Sequence, residues 1–312
     1  MGAHLRRLLA LGALMVAAAT TAYDGPWMRL PAAGRPPQVG VYLFLWYRPT
    51  GSGWGNGNTL VPPVTPRPAL GWYDSRQRDV IRAHLDEISA TGFDFVIVDL
   101  VAPDAATWGS VRTLFQEVAA YPLRVAVMLD GLYREPAAVQ QAWLRQVRDE
   151  FGGHPRALRV QGKPLLLLFS SFDPVVVEGA SVRNVYWSPD YRNGYNPFYR
   201  GRSPSSPTYP IDWPFWASGL PPLVNGVVPV MPGYDDRALG RADPVYYSRE
   251  DGRLYAAQWE RALRLRPDLI TVYSWNEHFE QTAIEPTDAW GRRYLDLTRQ
   301  FLQQARLTRT EG

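Results

Sequence analysis

The 312-residue chain contains no cysteine. That excludes disulfides, thiolate metal sites and thiol nucleophiles together. Histidine is almost as scarce: His4, His84, His154 and His278 are scattered, and no two are spaced as a ligand pair. No metal or other cofactor is implied. Lys163 is the sole lysine, so nearly all positive charge is arginine. The net charge is only +3, which gives no electrostatic case for nucleic acid as a partner. There is no Gly-rich phosphate turn after the first strand-like segment, where Trp46, Tyr47, Arg48 and Pro49 stand instead.

What is present starts with a leader pattern. Arg6 and Arg7 precede an apolar run over 8–19 that is too short to span a bilayer stably, and Ala17, Ala19 and Ala22 supply small residues for cleavage. Residues 1–22 therefore read as a secretory signal peptide and the mature chain as secreted or periplasmic, with no stable membrane insertion after cleavage. An uncleaved N-terminal anchor is the alternative. Cleavage removes two arginines and no acid, taking the net charge from +3 to +1. Residues 23–38 are rich in proline and glycine and read as a linker. The folded domain is expected over 39–306, and 307–312 as a tail.

Within that domain short apolar, β-branched runs alternate with stretches of helical periodicity. Strands are predicted over 39–47, 93–100, 123–130, 163–170, 182–188, 224–231 and 269–277, with a weaker one over 211–217 that contains Pro214. Helices are predicted over 74–91, 107–120, 136–151, 252–265 and 288–304. Near-continuous apolar strands belong to parallel sheets covered on both faces. Eight of them alternating with helices point to an α/β fold, a single-domain (β/α)8 barrel. The Gly-rich stretch 51–57 opens no helix and reads as a flexible loop. Residues 189–222 have an irregular, Pro- and aromatic-rich texture suited to a cover over a site.

Barrel enzymes carry their chemistry at the C-terminal ends of the strands. Those positions here hold Trp46 and Tyr47, Asp99, Asp130, Ser170, Trp187, Trp213 and Trp216, Tyr234, and the run Asn276, Glu277, His278, Phe279, Glu280. The set is acidic and aromatic. With 12 Trp and 17 Tyr in the chain, it suits a neutral polyhydroxylated substrate, whose C–H faces stack on aromatic rings. Glycosidic cleavage needs two carboxyl groups, one protonated and one charged. Glu277 and Glu280 supply such a pair. From the residues alone a second reading stays open, in which Glu277 satisfies a core arginine and Glu280 caps the next helix.

The segment from Trp275 to Pro286 resembles the C-terminal signature of glycoside hydrolase family 99, which reads Asn-Glu-Trp-His-Glu-Gly-Thr-x-Ile-Glu-Pro. Tyr294 and Leu295 follow it, as a Tyr-Leu segment does in the family. Further likenesses are Pro232-Gly233-Tyr234-Asp235, Tyr255 with Trp259, Arg266-Pro267-Asp268, Trp46-Tyr47, Gly71-Trp72-Tyr73-Asp74, and His84 with Gly92. The resemblance implies an endo-acting α-mannosidase or α-mannanase on a (β/α)8 barrel. It further implies that Glu277 activates the sugar 2-hydroxyl and Glu280 protonates the leaving group, through a 1,2-anhydro sugar and with net retention. Tyr234 is then expected to orient Glu280, and Asn276 to bond a sugar hydroxyl. The substrate-contacting set expected is Trp46, Tyr47, Asp99, Trp187, Trp216, Tyr234, Asn276 and His278. The chain departs from the family in His278-Phe279, where Trp-His is usual, in Gln281 for Gly, and in 99–104, where a Trp-Trp-Gly-like loop is usual.

Two other classes compete. A non-catalytic carbohydrate-binding barrel would keep the aromatic residues without needing both acids to converge. The larger clan of retaining barrels places its Asn-Glu pair after the fourth strand, whereas Glu277 follows the last.

Overall fold

In a computed structural model of the chain, the residues described are 36–50, 53–55, 66–132, 135–169, 175–185, 223, 226–240 and 244–307. The main-sheet strands are β1 (Gln38–Leu43), β4 (Phe95–Val101), β5 (Arg124–Asp130), β7 (Lys163–Phe169), β8 (Ser181–Val185), β9 (Val227–Val230) and β12 (Leu269–Val272). They pair in parallel in the order β8-β7-β5-β4-β1-β12-β9. First and last strands are thus neighbours, with Val41 opposite Val272. Helices α1 (Arg78–Thr91), α2 (Ala105–Val118), α3 (Ala137–Phe151), α4 (Arg253–Leu265) and α5 (Arg293–Leu307) connect and cover them. This is the curled parallel sheet of a (β/α)8 barrel, as the alternation predicts. The weak strand expected over 211–217 lies outside the described residues. Among the described residues no helix is long and apolar enough to cross a membrane.

Both faces of β1, β4, β5, β7, β9 and β12 are dry along most of their length, which is why these strands read as apolar runs. Val39, Val41, Leu43, Val96, Val98, Val125, Val127, Val228 and Ile270 face the helices and pack with Ile81, Leu85, Ile88, Leu114 and Trp259. The alternate residues Tyr42, Phe44, Phe95, Ile97, Ala126, Met128, Leu165, Leu167, Val227 and Leu269 fill the barrel. Gly40 permits this filling. A Cβ there would sit 2.0 Å from the Phe95 ring.

Three expected boundaries move, each for a local reason. The last strand stops at Val272 because residues 274–277 pair with the returning segment instead: Ser274 N–H donates to Thr282 O (3.1 Å) and Thr282 N–H to Glu277 O (3.0 Å). Helix α1 begins at Arg78, since Ser75 donates through N–H (3.0 Å) and Oγ (3.2 Å) to Tyr47 O. The last helix begins at Arg293, after a turn in which Gly291 N–H reaches Thr287 O (2.8 Å). The stretch expected as a flexible loop is corrected in its described part. Arg48–Thr50 (β2) and Gly53–Gly55 (β3) form an antiparallel ribbon. Its anchor is the fully buried Trp54, whose indole N–H donates to Tyr73 O at 2.8 Å.

Candidate active site

The site is built on the chain that leaves β12. Strand alternation sends Leu269 and then Tyr273 into the barrel. Residues 274–285 then double back as a compact loop. Ser274 Oγ lies 3.0 Å from Thr282 Oγ1 and accepts from Glu277 N–H at 2.7 Å. Ile284 N–H and Glu285 N–H return to the carbonyls of Ser274 (3.0 Å) and Trp275 (2.9 Å). Trp275 N–H donates to Tyr42 O (2.8 Å), which ties the loop to β1.

Both expected acids sit in this loop, and both are buried, Glu277 at 3% exposure and Glu280 at 7%. Glu277 Oε1 accepts from the backbone N–H groups of Phe279 (2.8 Å) and Glu280 (3.2 Å) and lies 3.5 Å from the Tyr47 hydroxyl. Donors aimed at one oxygen favour the ionised form. Tyr47 accepts from His278 N–H at 2.9 Å. Burial, then the neighbouring Glu277 charge, push its phenol well above the ordinary range, so it remains a proton donor. The Tyr273 hydroxyl donates to Glu280 Oε2 at 3.1 Å, and burial followed by the Glu280 charge raises its phenol likewise. Glu280 is also fixed from behind, its carbonyl accepting from Asp235 N–H at 2.9 Å.

Two strand-end aspartates complete an acidic group. Asp99 belongs to the same inward row as Phe95 and Ile97 and stands opposite Met128. Asp130 lies two residues beyond Met128, opposite Val101. Asp99 is 2% exposed, and among the described residues neither of its carboxyl oxygens has a hydrogen-bond partner. Burial, then Asp130 and Glu277, hold its carboxyl well above the usual carboxylate range. Asp130 is pushed up to about 6 by burial, with the Glu280 charge adding and the Gly131 N–H opposing. Among the described residues no group of three or more His, Asp or Glu is arranged to hold a metal ion.

The other expected site residues divide. Trp46 is half-buried, with its ring 4.6 Å from that of Phe44. Tyr47 belongs to the site through Glu277, as above. Asn276, expected to bond a sugar hydroxyl, is fully buried. Its Oδ1 accepts from Phe44 N–H (2.9 Å), and its Nδ2 donates to Phe44 O (2.9 Å) and Tyr73 Oη (3.2 Å). The amide is a clamp on β1's extension, with no group left over for ligand. His278 is corrected in the same way. It is 2% exposed, its Nε2 is 2.9 Å from Glu285 Oε2, and its ring lies 5.0 Å from that of Trp54. The Tyr234 hydroxyl is 3.4 Å from Asp236 Oδ2, and the Tyr273 phenol donates to Glu280. Asp99 is as buried as Glu277 and close enough to it and to Asp130 to feel both charges. Trp187 and Trp216 lie outside the described residues.

Sequence reading passed over Tyr273 and Glu285. Alternation from Leu269 is the signal that would have placed Tyr273 inward. Glu285 is 2% exposed and receives the Tyr73 hydroxyl at 2.8 Å, while Trp275 donates to His84 Nδ1 at 2.9 Å beside it. Only their meeting in space gives these residues a role.

Residues 64–186 match the family model for glycosyl hydrolase family 99. That stretch carries Asp99 and Asp130 and ends before the Glu277–Glu280 loop. The fold is similar to the GH99 endo-alpha-mannosidase from Bacteroides thetaiotaomicron, at TM-score 0.65 and 18% identity, over 88% of this chain and 98% of that one. It is also similar to a structure described as a glycoside hydrolase-like protein, at TM-score 0.60 and 12% identity, over 91% and 98%. A third, GH5_18 from Streptomyces cattleya, aligns at TM-score 0.50 and 14% identity, over 90% and 82%. At such identities the structural likenesses establish the barrel. The fold defines the class as a (β/α)8 barrel, here with buried acids at its strand ends. Within that class the chain is family 99-like, by sequence over residues 64–186.

Proposed function

We propose that the protein is a glycoside hydrolase acting on α-mannoside-like linkages of polysaccharides or oligosaccharides, endo-acting and retaining. Glu277 draws the proton from the sugar 2-hydroxyl, whose oxygen closes on the anomeric carbon as Glu280 protonates the departing oxygen. Water then opens the 1,2-anhydro sugar. The observation that carries this reading is that the two glutamates share one hydrogen-bonded loop and have unlike surroundings. Glu277 Oε1 is held by two backbone N–H groups, which suits a base, whereas Glu280 sits beside a phenol donor and Asp130. Division of labour between two carboxyl groups follows from such differences of environment. The half-buried Trp46 offers a stacking face.

The test is digestion of a glycan panel, α-mannans and mannosyl oligosaccharides first, by the chain without residues 1–22, beside Glu280→Gln. Cleavage by wild type alone, with the first-formed anomer retained by NMR, is the expected result. Binding of glycan by both proteins with release by neither would replace this reading with a carbohydrate-binding barrel. We also propose export, on the pattern of residues 1–22. N-terminal sequencing of protein from the culture medium or periplasm should begin near Tyr23, and recovery with the membrane fraction would favour the uncleaved anchor.

A further inference from the structure

Arg249 lies just beyond the short strand β11 (Tyr246–Tyr247), which pairs with β10 (Tyr234–Asp235). Its Nη2 donates to Gln281 O at 2.7 Å and to Ala283 O at 2.8 Å. These carbonyls flank Thr282, the residue whose N–H and hydroxyl hold Glu277 O and Ser274 Oγ. Gln281 has φ of 50°, a left-handed turn that Gly would adopt freely. The guanidinium carbon lies 4.4 Å above the Tyr294 ring and 4.9 Å above Trp290. One Nη2 group donates twice while the planar guanidinium lies against two rings, and lysine's tetrahedral ammonium has no such plane to stack.

The stem of Arg249 is equally constrained on its other side. It crosses Gly233 so closely that a Cβ there would stand 2.6 Å from Arg249 Cγ and 3.0 Å from Tyr247 O. Two residues on, Asp235 N–H donates to Glu280 O at 2.9 Å. Arg249 therefore touches the turns on both sides of Glu280, although it contacts neither glutamate in any contact described above.

We propose that Arg249 is a positioning residue. It locks the 281–283 turn against the 233–235 turn and so sets where the Glu280 carboxyl stands relative to Glu277. For its activity readout the inference rests on the glycosidase reading; for its dynamic readout it does not. A displacement of about 1 Å is enough to lower turnover about a hundredfold.

The test compares Arg249→Met, Arg249→Lys and Gly233→Ala with wild type. In Arg249→Met, hydrogen exchange should quicken at the amides of 277–285 while strands β1, β4 and β5 keep their protection. On the glycan that wild type cleaves, kcat should fall about a hundredfold with KM within about threefold. Guanidinium at about 20–50 mM should restore part of kcat, as expected for a vacated site of arginine shape. Arg249→Lys should fall between, and Gly233→Ala should show the same signature more weakly, which keeps the test open if Arg249→Met folds poorly. Unchanged exchange at 277–285, or loosening spread evenly through the barrel, overturns the proposal. Should wild type cleave nothing, the glycosidase reading fails while hydrogen exchange still decides the role of Arg249.

Discussion

Replacing Asp130 by Asn should stabilise the protein by an amount that grows as pH rises from about 4 to about 6 and is complete above that. In the unfolded chain an aspartate titrates near its ordinary value of about 4; in the folded barrel burial pushes Asp130 up to about 6. The folded state thus holds the proton more tightly. Below about pH 4 the carboxyl is neutral in both states and contributes no penalty. Between about pH 4 and 6 the unfolded chain gives up the proton that the folded barrel keeps, so stability falls, and above 6, with the buried carboxyl charged, the full penalty is in place. The full difference corresponds to about 3 kcal/mol. Asp130 is only partly buried by its exposed area, so solvent reduces this to about 1–2 kcal/mol. Asn keeps an oxygen to accept from Gly131 N–H and carries no charge beside Glu280 and Asp99. For a domain of this size the gain is about 2–5 °C in Tm at pH 7.5 and close to none at pH 4. Thermal melts of both proteins across that range provide the measurement. An equal Tm difference at both pH values, or a loss of stability at pH 7.5, would refute the reasoning.

Other expectations follow from single contacts. Tyr273→Phe removes the O–H that reaches Glu280 Oε2. Steady-state assays should show kcat down about tenfold or more, the equivalent of one hydrogen bond to a charged group, with Tm nearly unchanged. Asn276→Ala strands the buried N–H and C=O of Phe44, and denaturant titration should show a loss of about 2–5 kcal/mol. Trp54→Ala empties a fully buried site and frees the Tyr73 carbonyl, and the same titration should register about 3–5 kcal/mol.

The barrel was legible because parallel strands covered on both faces leave a mark that does not depend on tertiary detail. Runs such as 125–129 and 164–169 are apolar throughout, since one side chain in two fills the barrel and the next meets a helix. What failed was telling strand from the apolar chain that follows it. Tyr273 and Trp275 are as buried as Val272, so composition cannot show that hydrogen bonding there passes from the neighbouring strands to the loop itself. The ribbon at 48–55 failed in the opposite direction. Its glycines read as freedom, while the constraint comes from Trp54 packing against Tyr47 and Tyr73, rings distant in sequence or direction. The glutamates were legible as a motif. The roles of Asn276 and His278 were not, because the same polar side chains serve ligand or backbone according to what lies within 3 Å.

Those polar residues explain how a dry pocket tolerates its acids. A charged or orphaned carboxyl near others destabilises the folded state, and Asp99 lacks even a hydrogen-bond donor among the described residues. The loop bearing Glu277 and Glu280 would relieve this strain by moving outward if it were free. It is not free. Asn276 fastens it to Phe44, Glu285 to Tyr73 and His278, Thr282 to Ser274, and Arg249 grips its carbonyls at 281 and 283. None of these fastenings uses the carboxyl group of Glu277 or Glu280. Rigidity supplied by other groups allows two carboxyl groups to be held where solvent would not leave them, which is the condition for giving them different tasks.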